Sequence, residues 1–519
     1  MNRFTWIAAA ALILLLVNVP SPAQTTLHVD DDAPNDPGPG NPLVSDPLED
    51  GSADHPFDAI QEAIDAAPST NVTVLVADGI YTGTGNVDMN FLGKAIEVAS
   101  TNGAGACIID GEGSWTNMHT AFRFDNGEGL DSVLRGFTIT NFLNHIGTPG
   151  ISCWNSSPTI IGNRLVDNEG FDNSAGLSIG GYSAATESSP LVIDNVFTGN
   201  YAESCSGILI SGHAKPLIFN NLLYDNYAYP MGTYGDTGAI YCQASDFWGE
   251  CEPLIVGCTV VDNHGGTYSS CSGIWVGEYA YITVIDSIVY GNEYEQIYGY
   301  GAGTVSYSNV EGGGGGGTGN IDADPLFTSG PHGDYYLSQT TAGQPVDSPC
   351  LDAGSDPASA VCATLPDGDH CLSDRSTRSD GHLDTGQADM GFHYAPFGTV
   401  AAWLTCLPSA GTLPFQTRME VTLENRFTGI TRRMAARVSV ELANGQYFSN
   451  WRGGSTNIGP DGSFTTSWMQ AIPALATLVG DNRFTMVARD VTPAPYNQPP
   501  YAPSGDTARN DCTVTGVAP

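Results

Sequence analysis

Positive charge is the scarcest property of this sequence. Its 519 residues include 17 basic and 56 acidic side chains, a formal net charge of −39, and the only lysines are Lys94 and Lys215. That balance excludes a general nucleic-acid binder, which needs a basic footprint, and argues against docking on anionic lipid. Long apolar runs are also lacking. The longest, Ile7 to Val17, is too short to span a bilayer. With Arg3 before it and the small residues Ser21 and Ala23 after it, it reads as a secretory leader over residues 1–23. The protein is therefore expected outside the cell, with no membrane span once the leader is removed. No amphipathic helical period runs through residues 120–310, and no H-E-x-x-H, EF-hand or C-x-x-C pattern occurs. Gly176-Leu177-Ser178-Ile179-Gly180 matches G-x-S-x-G, but its serine falls in a strand register rather than a strand-to-helix elbow.

What is abundant is glycine, 63 residues, and a repeated phrase. A small residue precedes a short apolar strand, a polar turn and a second strand follow, and an asparagine closes the unit. The first strands align at Phe122, Ile151, Leu177, Ile208, Ile240 and Ile274, spaced 26 to 34 residues apart. The closing asparagines are Asn141, Asn168, Asn200, Asn226, Asn263 and Asn292. Constant strands with loops of free length are the mark of a solenoid. Strands such as Leu191–Phe197 are β-branched and aromatic, so the solenoid is expected to be a parallel β-helix, each coil about 4.8 Å above the last. Asparagine then suits the corners twice over, tolerating left-handed backbone and hydrogen-bonding from coil to coil.

Ahead of the coils, Phe57 to Ala67 has helical spacing, with Asp54 the expected N-cap and the strands Thr73–Val76 and Ala95–Val98 following. A helix there would cover the open end of the core. Past Pro396 longer period-2 segments appear, at Arg418–Leu423, Ala436–Leu442 and Arg483–Ala488, the pattern of an antiparallel sandwich. The expected organisation is a leader over 1–23, a β-helix with its cap over 24–396, and a β-sandwich-like domain over 397–519.

Several of these segments carry a family resemblance. Phe57–Ala67 with Val74–Tyr81, Gly93–Ile96, Ile108–Gly111 and Leu134–Asn141 resemble the opening of secreted bacterial right-handed parallel β-helix proteins, the pectin-lyase-like superfamily. Asn320–Phe327 and Ser348–Gly354 are similar to their closing segments, and Asp384–Tyr394 to their terminal strand. The resemblance covers about residues 25–396 and implies an all-β, right-handed parallel β-helix. The superfamily includes polysaccharide lyases, glycoside hydrolases, epimerases, tailspikes and adhesins, so it implies no single activity.

Two readings of function therefore stand side by side. One is recognition of a polysaccharide or cell-surface glycan, with or without cleavage. The other is a non-catalytic structural or adhesive protein with the solenoid as spacer. For a lyase, the candidate bases are the basic side chains on coils, Arg123, Arg135, Arg164 and Lys215, together with His213 and His264; for an inverting glycoside hydrolase, the candidate carboxylates are Asp194, Asp225, Asp262 and Asp286 in successive coils. Loop aromatics favour sugar binding, and Tyr229, Trp248 and Tyr268 are the candidate contacts. No cofactor is required. Ca²⁺ is the cation that Asp322 and Asp324, the run Asp30–Asp32, or Asp367, Asp369 and Asp374 would take.

Twelve cysteines suit an oxidising compartment. The pairs Cys153/Cys242 and Cys205/Cys271 share a register two or three coils apart, roughly 10–14 Å, beyond the reach of a bridge. Local bridges are expected for Cys362 with Cys371 and for Cys242 with Cys251. Cys406 and Cys512 would tie the ends of the last domain together.

Overall fold

The computed structural model describes residues 25–395 except 34–35, 38–40, 42–43, 172–173, 229–237, 245–248, 267–269 and 314–315; within residues 400–517 it describes the backbone of eight strands. Residues 25–310 form a parallel β-helix. One turn passes through Leu177–Gly181, Leu191–Ile193, Val196–Thr198 and Tyr201–Ala202, and the next begins at Ile208–Gly212. Stacked turns build parallel sheets of eight, ten, nine and four strands respectively. In the eight-stranded sheet Phe122, Ile151, Leu177, Ile208, Ile240 and Ile274 stand in one register, as the repeat spacing predicts. These positions face inward and are fully buried, and with their neighbours they form one continuous core along the axis.

The corners explain how strands of only three residues hold. Asn168, Asn200, Asn226, Asn263 and Asn292 are linked amide to amide, each Nδ2 donating to the next Oδ1 at 2.9–3.1 Å. Each amide works on both sides. Asn200, for example, accepts the Asn168 N–H at 3.2 Å and donates to the Leu165 carbonyl at 2.8 Å. The left-handed backbone lies one residue earlier, at Asp167, Gly199, Asp225, Asp262 and Gly291. Asn141 belongs to that left-handed row instead, with φ 56°, and Phe142 occupies its place in the ladder. A second ladder, unforeseen in the repeat, links Asn163, Asn195 and Asn221 and continues through Cys258, Ser287 and Ser308. It breaks Leu191–Phe197, read as one strand, at Asp194–Asn195.

The helix is Ile60–Ala66, and Ile60, Ala63 and Ile64 are buried against the first coil. Its N-cap is Ala59, not Asp54; Asn86 Oδ1 accepts the Ile60 N–H at 3.0 Å. At the other end Lys94 Nζ donates to the carbonyls of Ile64, Asp65 and Ala67 at 2.7–3.0 Å, a cation where the helix dipole is negative. Thr25–Val29, missed in the sequence, is the first strand of the ten-stranded sheet.

Residues 327–394 do not continue the coils but run back along their outside as a strap. Ala358, Val361, Leu365 and Leu372 pack on Val133, Ile161, Leu191, Ile193 and Phe219 of the ten-stranded sheet. Tyr336, Phe392 and Tyr394 cover Leu222 and Val261 of the nine-stranded sheet. These strands are apolar on both faces because both faces are buried. Asp384–Tyr394 is thus part of this strap, joined within it by the isolated bridges Gln387 to Pro357 and Tyr394 to Ser376 rather than forming a terminal strand. Corner side chains fasten it. Asn220 exchanges two hydrogen bonds with the His393 backbone at 2.6 and 2.8 Å, and Asp286 accepts from Ser355 N and Oγ at 2.6 and 2.8 Å. Arg375 pairs with Asp194, its Nε at 3.0 Å from Oδ1 and its NH2 group on Oδ2. Burial pushes the Asp194 carboxyl up, but the Arg375 charge and the donors around it more than offset this, holding it below its ordinary value.

Beyond residue 400 the backbone forms a three-stranded and a five-stranded sheet containing the expected segments, the two-sheet organisation of a β-sandwich-like fold.

Two outcomes follow from the corners. Asn200→Ala is expected to cost about 1–3 kcal/mol, since it strands a buried N–H and a buried carbonyl. Asn141→Gly, at an exposed left-handed position, should stay within about 0.5 kcal/mol; urea unfolding compares them. Arg375→Met should cost about 3–5 kcal/mol by leaving Asp194 buried without its partner. Because the Asp194 carboxyl is depressed in the folded state, its contribution is complete above about 3.9 and disappears as pH falls through the lower folded value. Strap cleavage by an acid protease should then rise steeply in wild type at low pH, and be less pH-dependent in Arg375→Met.

Candidate functional site

With the strap on the ten- and nine-stranded sheets, the outer face of the eight-stranded sheet is the large face it leaves. Alternation along the strands points Arg123, Ser152, Ser178, Leu209, Tyr241, Trp275 and Tyr298 outward, one per coil. Leu209 and Tyr241 are buried with Cys205 in a small cluster against Trp275. Toward the ends of the row the side chains open to solvent.

At the first coils Arg123 stands between the buried Phe122 and Phe124 and reaches Asp88 Oδ1 at 2.9 Å. Asp88 Oδ2 meets His119 Nδ1 at 2.6 Å. The other ring nitrogen of His119 faces Asn117 Oδ1 at 3.0 Å. Asn117 Nδ2 donates to the carbonyls of Gly111 and Glu112, which fixes that amide's orientation. Both nitrogens of His119 therefore face acceptors. Arg123 is half exposed and keeps donors turned to solvent. The cluster can bind and orient.

Aromatic rings border this polar patch. On the loops entering the sheet, Trp115 lies 4.2 Å from the His145 ring, and His145 4.7 Å from Phe171. On the leaving side Trp154 stacks on Tyr182 at 5.2 Å. Trp154 lies flat across Gly180, where a Cβ would come within 2.5 Å of the indole. Trp115 is 68% exposed and Tyr182 62%, and at the far end of the sheet Tyr300 is 76% exposed.

Most of the other sequence-predicted residues fall elsewhere. His213 and Lys215 sit in the turn between the eight- and ten-stranded sheets. Lys215 lies 3.3 Å from both Glu187 and Glu252, whose hydrogen bonds and charges raise its pKa. The His213 ring packs over Gly249. Asp225 and His264 occupy a different corner, 3.8 Å apart, with Glu293 3.6 Å from His264 and Tyr227 stacked on its ring. The four candidates thus form two surface pairs rather than one centre. The carboxylates Asp194, Asp225, Asp262 and Asp286 are corner residues at positive φ, divided between two rows rather than forming one ladder. Tyr229, Trp248 and Tyr268 lie outside the described residues.

Asp322 and Asp324 are exposed, and Asp324 accepts the Leu326 N–H. Among the described residues they join no group of three metal-ligating side chains, whereas Asp30, Asp31 and Asp32 do lie together. Burial first, then the charge of Asp32, raises Asp31 to about 6. Cys362 and Cys371 form the expected disulfide across a hairpin, with Cα atoms 4.0 Å apart. Cys242 and Cys251 are corrected to free thiols, buried side by side in the coil core rather than bridging a surface loop. Cys153, Cys205 and Cys271 are free as well. Cys406 and Cys512 lie on strands of different sheets.

Residues 45–252 match the model of a family described as "Protein of unknown function (DUF1565)". No curated protein matches. Among solved structures, the chain is similar to the Pseudomonas fluorescens alkylpurine DNA glycosylase AlkC bound to DNA containing an abasic site analog, at 12% identity over 23% of this chain and 31% of that one, with a TM-score of 0.18. It is also similar to a CARDB domain from Pyrococcus furiosus in complex with di-metal ions, at 15% identity over 23% of this chain and 87% of that one, with a TM-score of 0.17. The chain thus spans under a third of the glycosylase, and overlap of this extent defines neither a shared fold nor a shared activity.

Asp88, His119, Trp115, Trp154 and Tyr182 were missed in the sequence. The signal was present in the register: once Phe122, Ile151 and Leu177 point inward, the residues between them point out, and Trp154 is among those.

Proposed function

We propose that this is an exported glycan-recognition protein that binds polysaccharide along the outer face of its eight-stranded sheet. One observation carries this reading: the strap covers the middle of two large sheets, while exposed rings gather beside the ends of the third. Indole and phenol rings offer broad, rigid apolar area with few torsions to immobilise, which suits the apolar faces of sugars. Arg123 supplies donors beside them for hydroxyl or carboxylate oxygens. Binding without cleavage accounts best for the patch, because both ring nitrogens of His119 are engaged by Asp88 and Asn117. The leader-like residues 1–23 support export, and residues 397–519 serve as a separate domain in this proposal. Among the described residues no helix is long and apolar enough to cross a membrane.

Retention on immobilised uronate and neutral polysaccharides tests the proposal. Trp154→Ala and Arg123→Ala should each weaken binding about tenfold, the ~1.4 kcal/mol expected of one good contact, with unchanged circular dichroism. Retention that neither substitution alters, or no retention on any polysaccharide, would favour the spacer reading.

A further inference from the structure

The strap carries a second group of ligating side chains, remote from the glycan face. Asp384, Asp389 and His393 are all buried, His393 completely. One donor atom from each lies within 4.8 Å of the others. The group adjoins a cleft of about 270 Å³ lined by Asp347, Asp352, Thr377 and Thr385 together with Asp384 and Asp389.

The partners orient the donors. His393 Nδ1 lies 2.8 Å from the Gly391 carbonyl, which can only accept, so this nitrogen carries its proton. Nε2 therefore points toward the carboxylates, 2.8 Å from Asp384 Oδ2. Asp389 is held by the Asp352 N–H at 2.7 Å and by the Thr377 hydroxyl. Second-shell donors and acceptors of this kind set the tautomer and aim of metal-binding side chains.

Charge gives an independent argument. Two buried carboxylates face one imidazole, and even a protonated ring leaves one negative charge uncompensated. Arg378, the basic side chain lining the cleft, is committed to Asp380 at 2.6 and 3.0 Å.

We propose that Asp384, Asp389 and His393 bind one divalent transition cation, Zn²⁺ foremost. An imidazole with two carboxylates suits Zn²⁺ better than Ca²⁺ or Mg²⁺, which prefer all-oxygen sites. The cleft leaves room for water as a fourth ligand. Because the His393 backbone is bonded to Asn220 on the coils, the ion would fasten the end of the strap to the solenoid.

Equilibrium dialysis of the full chain against chelator-buffered Zn²⁺, with metal content read by mass spectrometry, tests this. Wild type should retain one ion, and the near-isosteric Asp389→Asn should bind it at least ~10-fold more weakly, the loss that even outer-shell changes produce. The surface control Asp322→Asn/Asp324→Asn should match wild type. A measurement on wild type alone covers the case in which Asp389→Asn does not fold: Co²⁺ loading should give visible absorption of a low-coordinate nitrogen–oxygen site. No stoichiometric Zn²⁺ in wild type, equal uptake by folded Asp389→Asn, or a Co²⁺ spectrum identical to aqueous ion would overturn the proposal and leave a cluster that holds only a proton.

Discussion

The whole molecule depends on buried asparagine amides that pair from coil to coil. A strand of three residues makes too few backbone hydrogen bonds to define a sharp corner by itself. The corner also exposes N–H and carbonyl groups toward a core that cannot solvate them. In the ladder each amide closes that deficit, accepting from one coil while donating to two. The residue before it takes the left-handed turn, which is why Asp, Asn and Gly recur there.

From this geometry the outer surface follows. A left-handed corner turns its side chain outward, so Asp194, Asn220 and Asp286 stand on the outside of one edge. There they meet Arg375, the His393 backbone and Ser355 of the strap. The polar corner thus positions an apolar segment, and that segment covers the middle of the outer face of two sheets. The third sheet keeps its outward row, polar at Arg123 and aromatic toward Trp275 and Tyr298.

Much of the solenoid was legible because its signal is periodic. The inward register from Phe122 to Ile274 could be read from spacing, since every coil must place a residue of similar shape on the same core. The asparagine ladder was legible for the same reason, though displaced by one residue at Asn141, because Asn suits both the ladder and the left-handed position. The second ladder was hidden: its members change from Asn163, Asn195 and Asn221 to Cys258, Ser287 and Ser308. A hydrogen-bonding role shared by amide, thiol and hydroxyl leaves no single letter to find.

By itself the sequence determined the acidic balance, the coil repeat and the all-β class, since each rests on composition or local spacing; short-range closure offered Cys362–Cys371 and Cys242–Cys251 alike, and only the first forms. Tertiary structure alone decided which carboxylates share a corner, that His213 and Lys215 lie apart from Asp225 and His264, and that Asp384, Asp389 and His393 meet in one buried cluster. Those outcomes depend on variable loops and on a strap returning over coils more than a hundred residues earlier. No local pattern encodes a contact whose partners are brought together only when the coils have stacked.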